Sequence, residues 1–355
     1  MTLTAHDLIA HDLIARAGIG NALAMHSRGV DRADFNLLSA AYHSGATVDY
    51  GFFAGPAATL VGLLAEAQKA SAPTLHRTSN IWTKIDGARA VSEAYVVAYV
   101  EEAETQRLVF GRYLDRLEDR EGAWRLTHRT YVLDGNTNRP TTVARADPPV
   151  DSAHYVPQGA KGAADPGRAL LTLAQTSALG SPSMTVTTDA AALDAALSKA
   201  AIHDLAMAYS RGVDRADADL LKSIFHEDST VISGVVNGSG AQFADQITAH
   251  VTANLEYCVH TVANEWVEVN GDHAVGELYV MAHMTAGGQD VMTGGRYLDS
   301  YERRDGAWKI KTRTLVSDWN TSHPTTLHKA GYYEALKNRG CWGKSDPVYS
   351  HWASL

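Results

Sequence analysis

Apolar residues fall at helical spacing over residues 193–209, with Leu193, Leu197, Ile202, Leu205 and Ala208 on one face. The pattern predicts a helix that breaks at Gly212-Val213-Asp214. Asp217 then stands as the N-cap of a short helix carrying Leu220, Leu221 and Ile224. A third helix is predicted from Phe243 to Leu255. Beyond it the period changes. Trp266, Val267, Val269, Val275, Leu278, Val280 and Met281 have strand character, and Asn270-Gly271-Asp272, Gly287-Gly288 and Arg304-Asp305-Gly306 mark turns. Helices first and antiparallel strands after predict an α+β fold, with helices on one face of a curved sheet. The first half follows the same succession, with turns at Ile85-Asp86-Gly87 and Arg120-Glu121-Gly122.

The agreement between the halves extends to individual residues. Ser27-Arg28-Gly29-Val30-Asp31-Arg32-Ala33-Asp34 returns 183 positions later as Ser210-Arg211-Gly212-Val213-Asp214-Arg215-Ala216-Asp217. His76-x-x-x-Asn80-x-Trp82 returns 184 positions later as His260-x-x-x-Asn264-x-Trp266. Gly111-Arg112-Tyr113-Leu114-Asp115 matches Gly295-Arg296-Tyr297-Leu298-Asp299, and Arg129 matches Arg313. A period this long means tandem domains rather than a solenoid, whose repeats run to roughly 20–50 residues. The expected division is a first domain over 1–150, an extension and linker over 151–190, a second domain over 191–330 and an aromatic tail over 331–355. So many aromatics (Tyr332, Tyr333, Trp342, Tyr349, Trp352) are expected to pack on a domain or cover a pocket.

Composition narrows the function. A net charge of −9 over 355 residues argues against nucleic acid as a partner. No apolar run reaches the roughly 18 residues of a membrane span. The first fifteen residues lack a basic stretch and are expected to begin an amphipathic helix rather than a leader. Two cysteines, Cys258 and Cys341, offer no disulfide framework and suit a reducing cytoplasm. Cys258-x-His260 could present two metal ligands from one strand face, but the first half has Thr74 where the second has Cys258. No bound metal is expected on this ground.

A fold needs its apolar periodicity repeated; it does not need the same Asp, His and Arg repeated. A neutral imidazole, as in His76 and His260, accepts a proton at neutral pH. An Asp at its other ring nitrogen fixes the tautomer and stabilises the imidazolium. Asp31 and Asp214 are free for that role if Asp34 and Asp217 serve as the caps. The bland alternatives are a buried His bonded to a backbone carbonyl and an Asp that only caps a helix. Arg129 lies on a strand with Arg125, and Arg313 shares the strand parity of Lys309 and Lys311, so a solvated cationic stripe stays open for them. Arg112 and Arg296 follow glycines where a strand can bend toward a ligand. Asn80 and Asn264 offer amide donors to a substrate oxygen or a role at a strand edge. The repeated Tyr113/Tyr297, Trp82/Trp266 and Trp124/Trp308 are expected in the core.

These residues resemble the SnoaL-like branch of the NTF2-like superfamily. The resemblance covers most of both halves and rests on Tyr209-x-x-Gly212-Val213-Asp214, His260-x-x-x-Asn264, the run from Gly295-Arg296-Tyr297 to Trp308-Lys309, and Arg313. The second half looks especially similar to hexachlorocyclohexane dehydrochlorinase and its relatives, with scytalone dehydratase, ketosteroid isomerase and polyketide cyclases in other branches. The resemblance implies cone-shaped α+β barrels: helices packed on a strongly bent sheet around an apolar pocket. It also implies a dyad of Asp31 with His76 and of Asp214 with His260, and a pocket-facing Arg129 and Arg313. The dehydrochlorinases can carry a Lys five residues before the dyad Asp; here that position holds His26 and Tyr209, which are thereby substrate-facing candidates.

The expectation is a cofactor-independent lyase acting on an apolar cyclic or aromatic small molecule, by dehydration, dehydrohalogenation or loss of a small carbonyl fragment. The alternatives are an isomerase or cyclase using the same dyad, and a non-catalytic binding or assembly module. Interaction modules have no reason to keep Asp, His and Arg together twice. The two domains are expected to pair within the chain as a pseudo-twofold dimer, with further copies adding around it and each pocket opening away from the shared interface.

Overall fold

The computed structural model describes residues 5–71, 74–140, 160–165 and 190–355, and in it the same unit is built twice. The first unit opens with α1 (Ala5–Asp31), α2 (Phe35–Ala40), β1 (Tyr42–Asp49), β2 (Ala54–Pro56) and α3 (Ala57–Ala70). Four long strands follow: β3 (Thr74–Asp86), β4 (Arg89–Glu101), β5 (Thr105–Arg120) and β6 (Ala123–Pro140). The second unit repeats them as α4 (Ala190–Asp214), α5 (Ala218–Ile224), β7 (Phe225–Ile232), β8 (Asn237–Gly238), α6 (Gly240–Asn254), β9 (Leu255–Asn270), β10 (His273–Ala286), β11 (Gln289–Arg304) and β12 (Ala307–Pro324). Most of the linker expected over 151–190 lies outside the described residues. No helix among the described residues is long and apolar enough to cross a membrane.

Each sheet is mixed. The order is β2-β1-β6-β5-β4-β3 in the first and β8-β7-β12-β11-β10-β9 in the second. The long strands pair antiparallel as a meander, but β1 runs parallel to β6 and β7 to β12. The short strands β1 and β2 were not foreseen, because Tyr42-His-Ser-Gly-Ala-Thr-Val-Asp49 has little apolar alternation. The helix expected to break at Gly212 instead continues to Asp214, and α1 likewise ends on Asp31. Asp34 and Asp217 cap the next helices by accepting from Leu37 N–H and Leu220 N–H, both at 3.1 Å. The glycine of the repeated motif has a packing reason. A Cβ on Gly29 would lie 2.7 Å from Leu38, and one on Gly212 would lie 2.6 Å from Leu221.

The apolar cores sit between helices and sheet. Ile19, Leu23, Leu38, Leu60 and Leu126 fill the first, and Ile202, Leu221, Phe243, Leu278 and Ile310 the second. The domains then meet head to tail, not about the expected twofold. The end of α4 and strand β9 rest on the outer sheet face of the first domain. Arg211 donates to Glu93 at 2.6 Å and Arg215 to Asp134 at 3.0 Å. The counterparts Arg28 and Arg32 pair instead with Asp165, at 2.7 and 3.5 Å. A twofold would have made both sets of contacts; a head-to-tail contact needs only one.

The aromatic tail packs on this same face. Trp352 lies 4.9 Å from Trp82, and Val348 on α7 (Pro347–Trp352) joins Leu114 and Val132. Asp346 forks to Arg112, with both contacts at 2.8 Å.

Candidate active site

The last residue of the first helix in each domain faces the first long strand. In the first domain, Asp31 accepts the His76 backbone N–H at 2.8 Å through one carboxylate oxygen and meets His76 Nδ1 at 2.7 Å through the other. Thr74 Oγ1 donates a further bond at 3.0 Å. In the second domain, Asp214 does the same for His260, at 2.8 Å to the backbone and 2.5 Å to Nδ1. One carboxylate thus clips both the main chain and the ring of the same histidine. With Nδ1–H donated to the carboxylate, Nε2 carries the lone pair. The carboxylates are buried, whereas each imidazole keeps 16 % of its side chain exposed. Burial pushes the Asp214 carboxyl up, but His260 and Arg215 outweigh it and hold it below the usual carboxylate range.

Arg129 and Arg313 turn inward and are fully buried. The strand parity that placed Arg313 beside Lys309 and Lys311 is broken by a bulge. The β11 partners step from Ser300–Thr312 to Tyr301–Ile310, which leaves Lys311 as the extra residue. Thr127 is the extra residue in the first domain. Each arginine forks onto an aspartate, Arg129 onto Asp115 with both bonds at 2.7 Å, and Arg313 onto Asp299 at 2.9 and 2.6 Å. Their guanidinium groups lie over Tyr113 at 3.8 Å and over Tyr209 and Tyr297 at 4.1 and 4.3 Å. In both, Nη1 is buried without a well-aligned hydrogen bond, with a phenol, of Tyr50 beside Arg129 and of Tyr209 beside Arg313, within reach of the guanidinium. Such a donor costs about 1–3 kcal/mol if nothing fills it.

The two interiors differ. His26 contacts the phenols of Tyr42 and Tyr50 at 3.2 and 3.3 Å. Burial, with Arg129 and His76 nearby, holds its imidazole well below the ordinary histidine range, so it is neutral. Tyr209, its counterpart, stacks on Phe243 at 5.7 Å, and burial pushes its phenol up to about 12. Phe225 replaces Tyr42, so the second interior is the more apolar. Tyr301 donates to Asp299 at 2.6 Å where the first domain has Leu117.

Four sequence candidates are placed elsewhere. The Asn80 amide is committed across the domain contact: it donates to the His260 carbonyl and accepts from Val262 N–H, both at 2.7 Å. Asn264 sits at the same bulge of β9 but is exposed. Arg112 is buried on the outer face among Glu93, Asp134 and Asp346. Arg296 lies on the outer face with Glu277 and Asp318. Ordinary alternation on β5 and β11 puts both arginines opposite the inward Tyr113 and Tyr297, and the irregularities facing Gly111 and Gly295 make Asp134 and Asp318 the extra residues of β6 and β12 that meet them. Residues not singled out from sequence are Asp115 and Asp299, although the repeated Gly-Arg-Tyr-Leu-Asp motif contained them, and Tyr42 and Tyr50.

Among the described residues, Asp214, Cys258 and His260 are the group whose donor atoms come close enough for a metal ion, within 4.8 Å of one another. Their chemistry fits poorly. Burial pushes the Cys258 thiol well up, so it is not a thiolate, and His260 Nδ1 is taken by Asp214.

Two bent mixed sheets, each with a helix-end aspartate clipped to a strand histidine, define a tandem α+β cone protein. The SnoaL-like domain family matches residues 11–130 and again 194–314, and the chain belongs to that family. Gamma-hexachlorocyclohexane dehydrochlorinase of Sphingobium indicum is 28 % identical over 134 residues, which is 36 % of this chain and 86 % of that enzyme. Hexachlorocyclohexane dehydrochlorinase 1 of the same species is 29 % identical over 123 residues, 33 % of this chain and 80 % of that enzyme. The crystal structure of LinA covers 36 % of this chain and 90 % of its own, at 28 % identity and a TM-score of 0.35. At the level of the family, the relatives support lyase activity.

Proposed function

We propose that each domain carries out a proton-abstracting elimination on an apolar cyclic or aromatic small molecule. Nε2 of His76 or His260 takes a proton from carbon, and the C–H electron pair becomes a new double bond. The leaving group on the adjacent carbon departs with its own electron pair. Asp31 or Asp214 keeps Nδ1–H in place and stabilises the imidazolium. The unpaired Nη1 of Arg129 or Arg313 donates to the leaving atom or to a developing oxyanion. The imidazolium then returns its proton to solvent or to the leaving group, and the balance is substrate to alkene plus HX. The chain's own groups account for every proton. Loss of water and of halide fit this balance; loss of a carbonyl fragment would start instead from a hydroxyl proton, whose electrons form the C=O as the C–C bond breaks, with the proton returned from the imidazolium to the carbon left behind.

The observation that carries the reading is the twofold recurrence of one constellation. Two clipped Asp–His pairs, at 2.7 and 2.5 Å, each share a domain with a fully buried arginine. An assembly module would have no use for the same Asp, His and buried Arg in both copies.

The test presents the purified full chain with halogenated cyclohexanes and with arylalkanols bearing a β-leaving group. Halide release and new alkene absorbance are followed. Elimination product is expected, with a primary isotope effect when the abstracted hydrogen is deuterium. Failure to eliminate any of these substrates would count against the reading.

A further inference from the structure

Behind each Asp–His pair lies a second set of neighbours, and there the two domains part. In the first domain one carboxylate oxygen serves two donors. Asp31 Oδ1 meets the His76 ring at 2.7 Å and accepts from Thr74 Oγ1 at 3.0 Å. Thr74 Oγ1 also lies 3.0 Å from Gln68 Oε1. That amide oxygen accepts from Lys161 Nζ at 2.9 Å and has Ser71 Oγ at the same distance. The one hydroxyl hydrogen of Thr74 therefore goes to the carboxylate, the stronger acceptor. Lys161, Gln68, Thr74, Asp31 and His76 form one continuous run of polar contacts.

The run begins on a segment outside the domain proper. Residues 160–165 are seated on the end of α1: Gly162 N–H donates to the Arg32 carbonyl at 2.5 Å, and Asp165 pairs with Arg28 and Arg32 at 2.7 and 3.5 Å. Burial pushes the Lys161 ammonium down, and the charge of Asp31 works against that.

The second domain replaces every link. Gly343 N–H meets the Arg215 carbonyl as Gly162 meets that of Arg32, which aligns Lys161 with Trp342. The buried positions of α3 and α6 run in step, Leu60 with Phe243 and Ala65 with Thr248, which aligns Gln68 with Val251. Cys258 stands for Thr74. Trp342 packs on the second core, and Val251 and Cys258 are buried in it. A thiol is a weak donor, so Asp214 Oδ1 is left to His260. The contact there is the shorter one, 2.5 Å against 2.7 Å. The charges around the two pairs otherwise correspond. Arg32 and Arg215 each follow the aspartate, and Arg129 and Arg313 each lie buried and forked onto an aspartate.

Two donors on one oxygen divide its lone pairs. A carboxylate shared with Thr74 gives less support to the imidazolium that forms as a proton is taken. We propose that Thr74, Gln68 and Lys161 are positioning residues that restrain the first Asp–His pair and link its rate to the seating of segment 160–165, a restraint the second domain lacks. The inference rests on the elimination reading for its effect on rate, but the relay itself is readable without turnover.

The low-field proton line of Nδ1–H in the full chain, labelled with 15N-histidine and assigned by loss in His76→Ala and His260→Ala, gives that reading. Thr74→Cys, which installs the residue of the second domain, should move the His76 line downfield toward the His260 line. Lys161→Met should move it the same way by less, and Thr74→Ser, which keeps the hydroxyl, should leave it in place. The rate is read in a His260→Ala background on a polychlorinated cyclohexane, so that only the first domain turns over. Thr74→Cys with Lys161→Met should raise kcat about threefold to tenfold with KM unchanged, whereas loss of a merely structural contact would lower it. A His76 line that ignores both substitutions, or a kcat that falls with them, overturns the proposal. A line that moves as stated in a chain that eliminates nothing upholds the relay and counts against the elimination reading instead.

Discussion

His283 lies at the domain contact and makes the pairing of the two domains sensitive to acid. Its ring lies against Phe110 of the first domain, tilted by 33° with centroids 4.3 Å apart, and it is 5 % exposed. Burial, then the charge of Arg77, His260 and Arg139, pushes its imidazole down to about 4 from an ordinary 6.5. Arg77 and Arg139 belong to the first domain, so the domain contact itself contributes. A folded-state pKa below the unfolded value means the unfolded chain binds the proton first. The stabilisation is therefore complete above pH 6.5 and is lost as pH falls toward 4. A depression of about 2.5 units at about 1.36 kcal/mol each gives roughly 3 kcal/mol over that window. His283→Phe keeps a ring against Phe110 and removes the titration. Urea midpoints at neutral pH and at pH 4.5 should therefore diverge less in His283→Phe than in the wild type, by most of that amount. Equal acid sensitivity of the two proteins would refute the assignment.

Asp31→Asn with Asp214→Asn keeps shape but donates to Nδ1, forcing the proton onto Nε2; kcat should fall about 10³–10⁴-fold, measured by alkene formation, with the circular dichroism spectrum intact. Arg129→Met with Arg313→Met removes the spare donors and should lower kcat by about 10²–10³-fold, more than it raises KM. Asn80→Ala leaves the His260 carbonyl and Val262 N–H unpaired in a buried contact, and should cost about 1–3 kcal/mol in urea unfolding, while Asn264→Ala costs the isolated monomer little. Dialysis against a chelator should leave turnover unchanged; a loss restored by zinc or iron would count against proton transfer by the dyads alone.

The fold and the contacts of Asp31 with His76 and of Asp214 with His260 were legible because local rules and the duplication agreed. Turn triplets located the meander, and the Asp34 and Asp217 caps left Asp31 and Asp214 without a local role. What stayed hidden was set by single-residue irregularities. The bulges at Thr127 and Lys311 reverse strand parity, so alternation put Arg313 with the solvent-facing lysines when it is buried. Asp134 and Asp318 are likewise extra residues, on the strands facing Gly111 and Gly295, and they hold Arg112 and Arg296 in ion pairs on the outer face. A duplicated sequence also looks symmetric, whereas a head-to-tail contact gives equivalent residues unlike environments. Asn80 and Asn264 have the same backbone and the same side chain, yet one ties two domains together and the other faces water.

Proton abstraction by the two imidazoles is tested most directly by turnover of His76→Ala, His260→Ala and the double variant on one eliminated substrate. Each single variant is expected to keep the activity of the other domain. The double variant should lose at least about 10²–10⁴-fold while remaining folded. A folded double variant that eliminates at the wild-type rate would contradict it.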